Sequence, residues 1–198
     1  MRKNKNKTKE RILKVAMELI YERGFVNTSV QDILDKCKLT KPAFYYYFPS
    51  KDYLGVEYLT KQEALNREYL LALMNSSKTP EDFATKWVSV IKKWSKVKKY
   101  NGCPFVNFLN QLEISNTKFN AKFKEIELGW TSLYKNYLLE QANKNLIDKN
   151  IDFDKAARKM ALIYEGSINL WKMSRDVKYL DFMGEELKEL MISIRAKK

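Results

Sequence analysis

Residues 28–54, TSVQDILDKCKLTKPAFYYYFPSKDYL, constrain the fold more than any other stretch of this chain. Apolar residues recur there at helical spacing and predict a short amphipathic helix; they are Val30, Ile33, Leu34 and Cys37. The helix is predicted to begin at Thr28, because Thr28 and Gln31 have the spacing of a capping box. Thr40 can cap a second helix, in which Pro42 is tolerated only in the first turn. The stretch therefore predicts two short helices joined by a tight turn.

The second helix carries an aromatic run from Phe44 to Phe48. Phe44 and Phe48 lie four residues apart and can share the buried face, so Tyr45 and Tyr46 point elsewhere with their hydroxyls available. A helix, a turn and a second helix is the form of a helix-turn-helix, whose second helix enters the DNA major groove.

The ordered motifs around this region resemble the DNA-binding segment of TetR-type repressors. They are Gly24-Phe25, Thr28-Ser29-Val30, Ile33, Leu39-Thr40-Lys41, Phe44-Tyr45 and Phe48 to Leu54. Two residues depart from the family pattern, since Lys38 and Pro42 stand where glycine is common. If position 38 needs a positive φ, its lysine costs about 1 kcal/mol.

The resemblance and the residue pattern lead to one architecture. Helical periodicity with caps between the segments predicts an all-α chain of about nine helices, with a helix from Lys9 to Arg23 and a long linking helix from Ser50 to Asn75. The predicted domains are a helix-turn-helix DNA-binding domain, residues 1–54, and a helical effector-binding and dimerisation domain, residues 55–198. Residues 1–8 are expected to be a solvated, lysine-rich arm that can reach phosphates or the minor groove.

Candidate DNA contacts divide into two groups. The groove-facing candidates are Thr40, Lys41, Pro42, Tyr45 and Tyr46, and the phosphate-contact candidates are Thr28, Ser29 and Lys51. Lysine can donate to a guanine edge or a phosphate, proline can touch a thymine methyl, and tyrosine hydroxyls can bond phosphates. The alternative for the tyrosines is simple packing.

Composition favours a polyanionic partner and disfavours enzymes. The net charge of +13 suits phosphate neutralisation, although a lysine-rich composition from an AT-rich genome accounts for part of it. The absence of histidine removes histidine-based triads and imidazole metal sites, and we predict no cofactor. Cys37 and Cys103 form no disulfide scaffold and fit a reducing cytoplasm. Apolar stretches are too short for a membrane span, so we expect no membrane partner.

The C-terminal helices carry many aromatic residues, most of which are expected in the core. TetR-type proteins have an effector pocket among these helices, so the resemblance implies that some of the residues line it. The predicted lining residues are Phe105, Phe108, Trp130, Tyr134, Tyr164 and Trp171. Pockets of this kind are mostly apolar with few polar groups, which predicts a hydrophobic or aromatic effector.

Cys103 has two interpretations. As a lone cysteine it is ordinarily a small buried apolar residue. However, Gly102-Cys103-Pro104, Gln111-Leu112-Glu113 and Lys172-Met173-Ser174-Arg175 resemble a TetR-type subgroup that includes N-ethylmaleimide-responsive repressors. That resemblance implies a reactive thiolate at Cys103 that senses electrophiles, with Lys172 as a neighbour that stabilises it.

The penultimate helix is rich in small residues, and the last helix has a regular apolar stripe beginning after a cap at Asp181. The resemblance assigns both helices to a homodimer bundle, while packing within one chain is the alternative. The sequence thus predicts a homodimeric repressor that a small effector or modification of Cys103 releases from a palindromic operator. A carrier of apolar molecules is the main alternative, and an enzyme is a third class.

Overall fold

The computed structural model describes residues 2–113 and 115–197. Within them the chain forms nine α-helices and one isolated antiparallel bridge, between Ile147 and Arg195. The helices are α1 (Arg2–Arg23), α2 (Val30–Cys37), α3 (Lys41–Tyr47), α4 (Lys51–Ser76), α5 (Pro80–Ser95), α6 (Pro104–Leu109), α7 (Asn120–Asn143), α8 (Phe153–Ser174) and α9 (Lys178–Ser193). The predicted all-α class is confirmed. Among these described residues, no helix has the length and apolar character that crossing a bilayer requires.

The starts of α1 and α9 differ from the sequence predictions. Helix α1 begins at Arg2 rather than Lys9, so the predicted arm is helical from that residue, and Met1 lies outside the described residues. Helix α9 begins at Lys178, and Asp181 lies in its first turn instead of capping it. There the Asp181 carboxylate forms an ion pair with Lys92 of α5.

The described chain divides into two compact units. The first unit contains the residues up to Leu65 together with Pro104–Phe123, and the second contains Asn66–Cys103 together with the residues from Lys124 onward. This division differs from the predicted domain boundary at residue 54, because α6 and the segment after it pack with the first three helices.

An aromatic cluster explains why α6 belongs to the first unit. The ring of Phe25, in the loop after α1, stacks on Phe108 of α6 with 4.4 Å between centroids. Phe119 contacts both rings edge-on, at 5.4 Å from Phe25 and 5.0 Å from Phe108. Tyr58 of α4 also stacks on Phe108, with centroids 5.8 Å apart. All four side chains are buried, and full burial of one large apolar side chain contributes about 1.5–3 kcal/mol.

The second unit is built around α9, which packs against both α5 and α8. Gly184 of α9 faces Val88 of α5, and a Cβ added there would make an ordinary van der Waals contact with the Val88 side chain at 3.4 Å. The C-terminal end is tied down by the bridge at Ile147 and by an ion pair between Arg195 and Glu81.

Candidate nucleic-acid interface and effector site

Helix α2 begins with a capping box one residue later than predicted. The Ser29 hydroxyl accepts a hydrogen bond from the Asp32 N–H (3.0 Å), and the Asp32 carboxylate accepts one from the Ser29 N–H (2.7 Å). The hydrogen bond from the Ser29 side chain, then that from its backbone, lowers the pKa of Asp32 below the ordinary 3.8. Ser29 is exposed at this helix start, where it can also meet a phosphate.

Thr28 does not occupy the position predicted for it. Its hydroxyl donates to the carbonyl oxygen of Gly24 at 2.7 Å, and its side chain is buried. This bond satisfies a carbonyl group at the end of α1, which would otherwise lack a partner. The prediction that Thr28 caps α2 is therefore wrong, while its phosphate contact stays a prediction.

The turn between α2 and α3 depends on Lys38. This residue lies in the left-handed region, with φ 49° and ψ 50°, and its N–H donates to the Asp35 and Leu34 carbonyls. The condition left open by the sequence, a positive φ at position 38, is therefore met. A non-glycine residue in this conformation costs about 1 kcal/mol or more.

Helix α3 buries one side and exposes the other. Phe44 is completely buried, together with Phe48 just after the helix, while Tyr46 is 64% exposed. All five predicted groove-facing residues lie on the exposed surface: Thr40, Lys41, Pro42, Tyr45 and Tyr46. Thr40 is the residue before the helix, and its side chain makes no capping hydrogen bond. Phe44 thus anchors the helix while the neighbouring side chains point outward.

Lys51, a predicted phosphate contact, has an intramolecular partner. Its ammonium donates to the carbonyl oxygen of Val26 at 3.1 Å and lies 4.8 Å from the centre of the Phe25 ring. Partial burial lowers the pKa of Lys51, while Asp52 and Asp32 act in the opposite direction. The side chain therefore braces the loop between α1 and α2 against the start of α4.

The eight predicted effector residues fall into both units. Six belong to the second unit: Cys103, Trp130, Tyr134, Tyr164, Trp171 and Lys172. Phe105 and Phe108 belong to the first unit. Phe108 is a central member of the aromatic cluster with Phe25 beside the helix-turn-helix, and its role as pocket lining stays a prediction.

Glu165 of α8 is the second-unit residue that the sequence reasoning missed. Its half-buried carboxylate accepts hydrogen bonds from the Cys103 thiol and, at 3.4 Å, from the Asn169 amide. Burial raises the pKa of Glu165 above its ordinary 4.5, against the effect of these two donors. No sequence motif marks this glutamate, because Cys103 and Glu165 are distant in the chain.

Aromatic side chains of the second unit surround the same glutamate. Trp87 of α5 stacks on Tyr164 with centroids 5.2 Å apart and lies 5.7 Å from Tyr134. Burial, together with the nearby Glu165 and Cys103, raises the pKa of both tyrosine hydroxyls well above 10. They therefore remain neutral at physiological pH and can donate hydrogen bonds.

Lys172 also lies close to Cys103. A Cβ on the adjacent Gly102 would be 3.9 Å from the Lys172 side chain. Burial lowers the pKa of Lys172, as does the nearby Arg175, whereas Cys103 acts in the opposite direction. The second unit thus brings the buried Cys103 thiol together with a carboxylate, an amine and two tyrosines.

Comparison with known proteins gives a consistent result. Residues 12–57 match the family described as bacterial regulatory proteins, tetR family. A helix-turn-helix transcriptional regulator from the lacX 3′ region of Lactococcus lactis is 29% identical over 90% of both chains. The repressor NemR of Escherichia coli is 32% identical over 69 residues, 35% of each chain.

Solved structures establish the same fold over nearly the whole chain. A TetR-family regulator from Cytophaga hutchinsonii has a TM-score of 0.85 at 20% identity, with 98% of both chains covered. Reduced NemR of Escherichia coli has a TM-score of 0.83 at 20% identity, with 97% of this chain and 98% of that chain covered. Residues 12–57 thus match the tetR family, and nearly the whole chain shares the fold of TetR-family transcriptional regulators.

Proposed function

We propose that this regulator is a homodimeric repressor that binds a palindromic operator and is released by an effector or by modification of Cys103. The observation that carries the DNA-binding half is the surface of α3. Phe44 fixes the helix in the core, while Lys41 and Tyr46 are exposed beside it. Two such helices in a dimer reach successive major grooves, and a repressor name among the relatives supports the direction of regulation.

The outer face of α8 supports the homodimer. Leu162, Gly166, Leu170 and Met173 follow one another at spacings of four, four and three, so they form one stripe. Leu162 is 72% exposed and Met173 is 82% exposed, and a Cβ on Gly166 would meet nothing within 4 Å. On α9, Phe182 and Ile192 are also exposed. Contiguous exposed apolar surface of this kind marks an interaction site, and a second copy of the chain can cover it.

The surroundings of Cys103 support a regulatory role for the second unit. The buried thiol donates to Glu165, and Lys172 lies nearby. Alkylation would remove that donor and add volume within a packed interior, where overpacking typically costs 1–3 kcal/mol. If alkylation destabilises the DNA-bound conformation more than the free conformation, the free energy of operator binding weakens by the difference.

The test is selective binding of the purified protein to genomic fragments across a salt series, with and without N-ethylmaleimide. We expect selective, salt-dependent binding that alkylation weakens in the wild type and in Cys37→Ser, but not in Cys103→Ser. Binding that alkylation leaves unchanged would remove Cys103 from the mechanism and leave noncovalent effectors. Failure to select any fragment would overturn the repressor and favour a carrier of apolar molecules.

A further inference from the structure

The loop between α1 and α2, residues 24–28, is held by a side chain from outside the helix-turn-helix sequence. The Oε1 atom of Gln111 accepts a hydrogen bond from the Val26 N–H at 3.2 Å. The Nε2 atom of the same side chain donates to the Asn107 carbonyl oxygen at 2.9 Å, which fixes the orientation of the amide. Gln111 follows α6 and belongs to the first unit, so this contact lies within one compact body.

Gly24 makes room for this amide. A Cβ at position 24 would lie 2.0–2.3 Å from the terminal atoms of the Gln111 side chain. The residue also has φ +91°, a backbone conformation that favours glycine. The Gln111 amide is therefore seated directly against the backbone of the loop.

Further contacts hold other parts of this loop. Val26 accepts from Lys51 through its carbonyl oxygen while its N–H donates to Gln111, so both polar groups of one peptide residue are held. Phe25 stacks on Phe108, and Thr28 bonds back to Gly24. The next residue is Ser29, whose side chain begins α2. The position of the loop therefore sets where the N-terminus of α2 stands.

A second contact joins the segment between α6 and α7, which contains Gln111, to the start of α4. The Lys118 ammonium lies 2.5 Å from the Asp52 carboxylate. Both groups are partly exposed, and exposed ion pairs contribute little. Asp52 adjoins Lys51, so this ion pair lies near the loop. The hydrogen bond from the Val26 N–H to the Gln111 side chain is the more specific contact.

We propose that Gln111 is a positioning residue for DNA binding, which sets the N-terminal end of α2 through its hydrogen bond with Val26. This inference rests on the DNA-binding function proposed above. Gln111 does not touch DNA in this account. It acts through the loop, so its loss lowers selective affinity without removing a phosphate contact.

The test compares two substitutions of similar size with an adjacent control. Gln111→Glu keeps the acceptor for the Val26 N–H, whereas Gln111→Met removes it; Asn110→Ala changes an exposed neighbour in the same segment. Affinity is measured for a fragment that the wild type selects and for random duplex DNA, over a salt series. Deuterium exchange of the Val26 amide is followed in the free protein.

We expect Gln111→Met to lose about fivefold in affinity for the selected fragment, the equivalent of one ordinary hydrogen bond. Its affinity for random duplex and its salt slope stay unchanged, and its Val26 amide exchanges faster. Gln111→Glu, which keeps the acceptor but loses the donor to the Asn107 carbonyl, loses less affinity than Gln111→Met. Asn110→Ala behaves like the wild type. Equal losses in Gln111→Glu and Gln111→Met, or wild-type affinity in Gln111→Met, would overturn the inference. A wild type that selects no fragment would instead overturn the proposed function.

Discussion

The Lys51 ammonium donates a hydrogen bond to the carbonyl oxygen of Val26 at 3.1 Å, although one residue opens α4 and the other lies between α1 and α2. The same ammonium stands 4.8 Å from the centre of the Phe25 ring. A lysine that a motif marks for phosphate contact thus also closes the helix-turn-helix on itself. Its phosphate contact remains a prediction, and its contacts with Val26 and Phe25 stabilise the loop before α2.

Replacing Lys51 by methionine should lower the free energy of unfolding by about 1 kcal/mol, because the Val26 carbonyl loses a charged donor. Urea denaturation monitored by circular dichroism measures this. Lys61→Met, at an exposed position of α4, is the matched control and should change stability little. Equal effects of the two substitutions would show that the loss comes from net charge and not from the hydrogen bond.

Lys38→Gly should stabilise the protein by roughly 0.5–1 kcal/mol, because glycine adopts the observed φ of 49° without a Cβ clash. The greater freedom of glycine in the unfolded chain offsets part of the gain. Lys38→Ala keeps the strained conformation and should give no such gain. Thermal melting of the three proteins decides the matter, and a destabilised glycine variant would contradict the strain argument.

Acid should selectively weaken the start of α2. The pKa of folded Asp32 lies below 3.8, so its contribution to stability is complete above that pH and is lost as the pH falls through the folded-state pKa. Asp32→Asn removes the titration, and its deficit relative to the wild type should therefore shrink as the pH falls well below 3.8. Denaturation curves at several pH values measure the deficit. A constant deficit across this range would disprove the linkage.

Phe108→Ala should cost about 3–5 kcal/mol of unfolding free energy, because it empties the centre of a buried aromatic cluster. Phe123→Ala is the matched control, since that ring is only partly buried and lies 6.0 Å from Phe108. Its loss should be clearly smaller in the same denaturation experiment. If Phe108→Ala retained nearly full stability, Phe108 would not be a core residue.

Met173→Glu and Leu162→Glu should convert the proposed dimer to monomers, because each places a charge in the exposed apolar stripe of α8. Sedimentation velocity measures the change, which should be accompanied by weaker binding to a palindromic fragment. Leu128→Glu on α7 is the control, at a leucine that is 51% exposed outside the stripe. Dimers that persist in both α8 variants would exclude this face as the interface.

Several features of the first unit could be predicted from the sequence because they depend on interactions between residues that are close in the chain. Pro42 in a first helical turn, Phe44 and Phe48 four residues apart, and a lysine at the tight turn all act on neighbouring residues. The predicted helix boundaries were less accurate where neighbouring residues can each cap the same helix. Thr28 and Ser29 can each cap a helix, and the choice followed from the Gly24 carbonyl, which attracts the Thr28 hydroxyl.

The sequence by itself determined the helical class, the helix-turn-helix and the exposed character of α3, since periodicity, caps and the ordered motif of residues 12–57 are all written locally. Only the tertiary structure decided that Phe108 packs beside Phe25, that Gln111 holds Val26 and that Glu165 accepts from Cys103. Each of these pairs joins residues far apart in the chain. Their contacts depend on how whole helices pack, and no periodicity in one sequence records that packing.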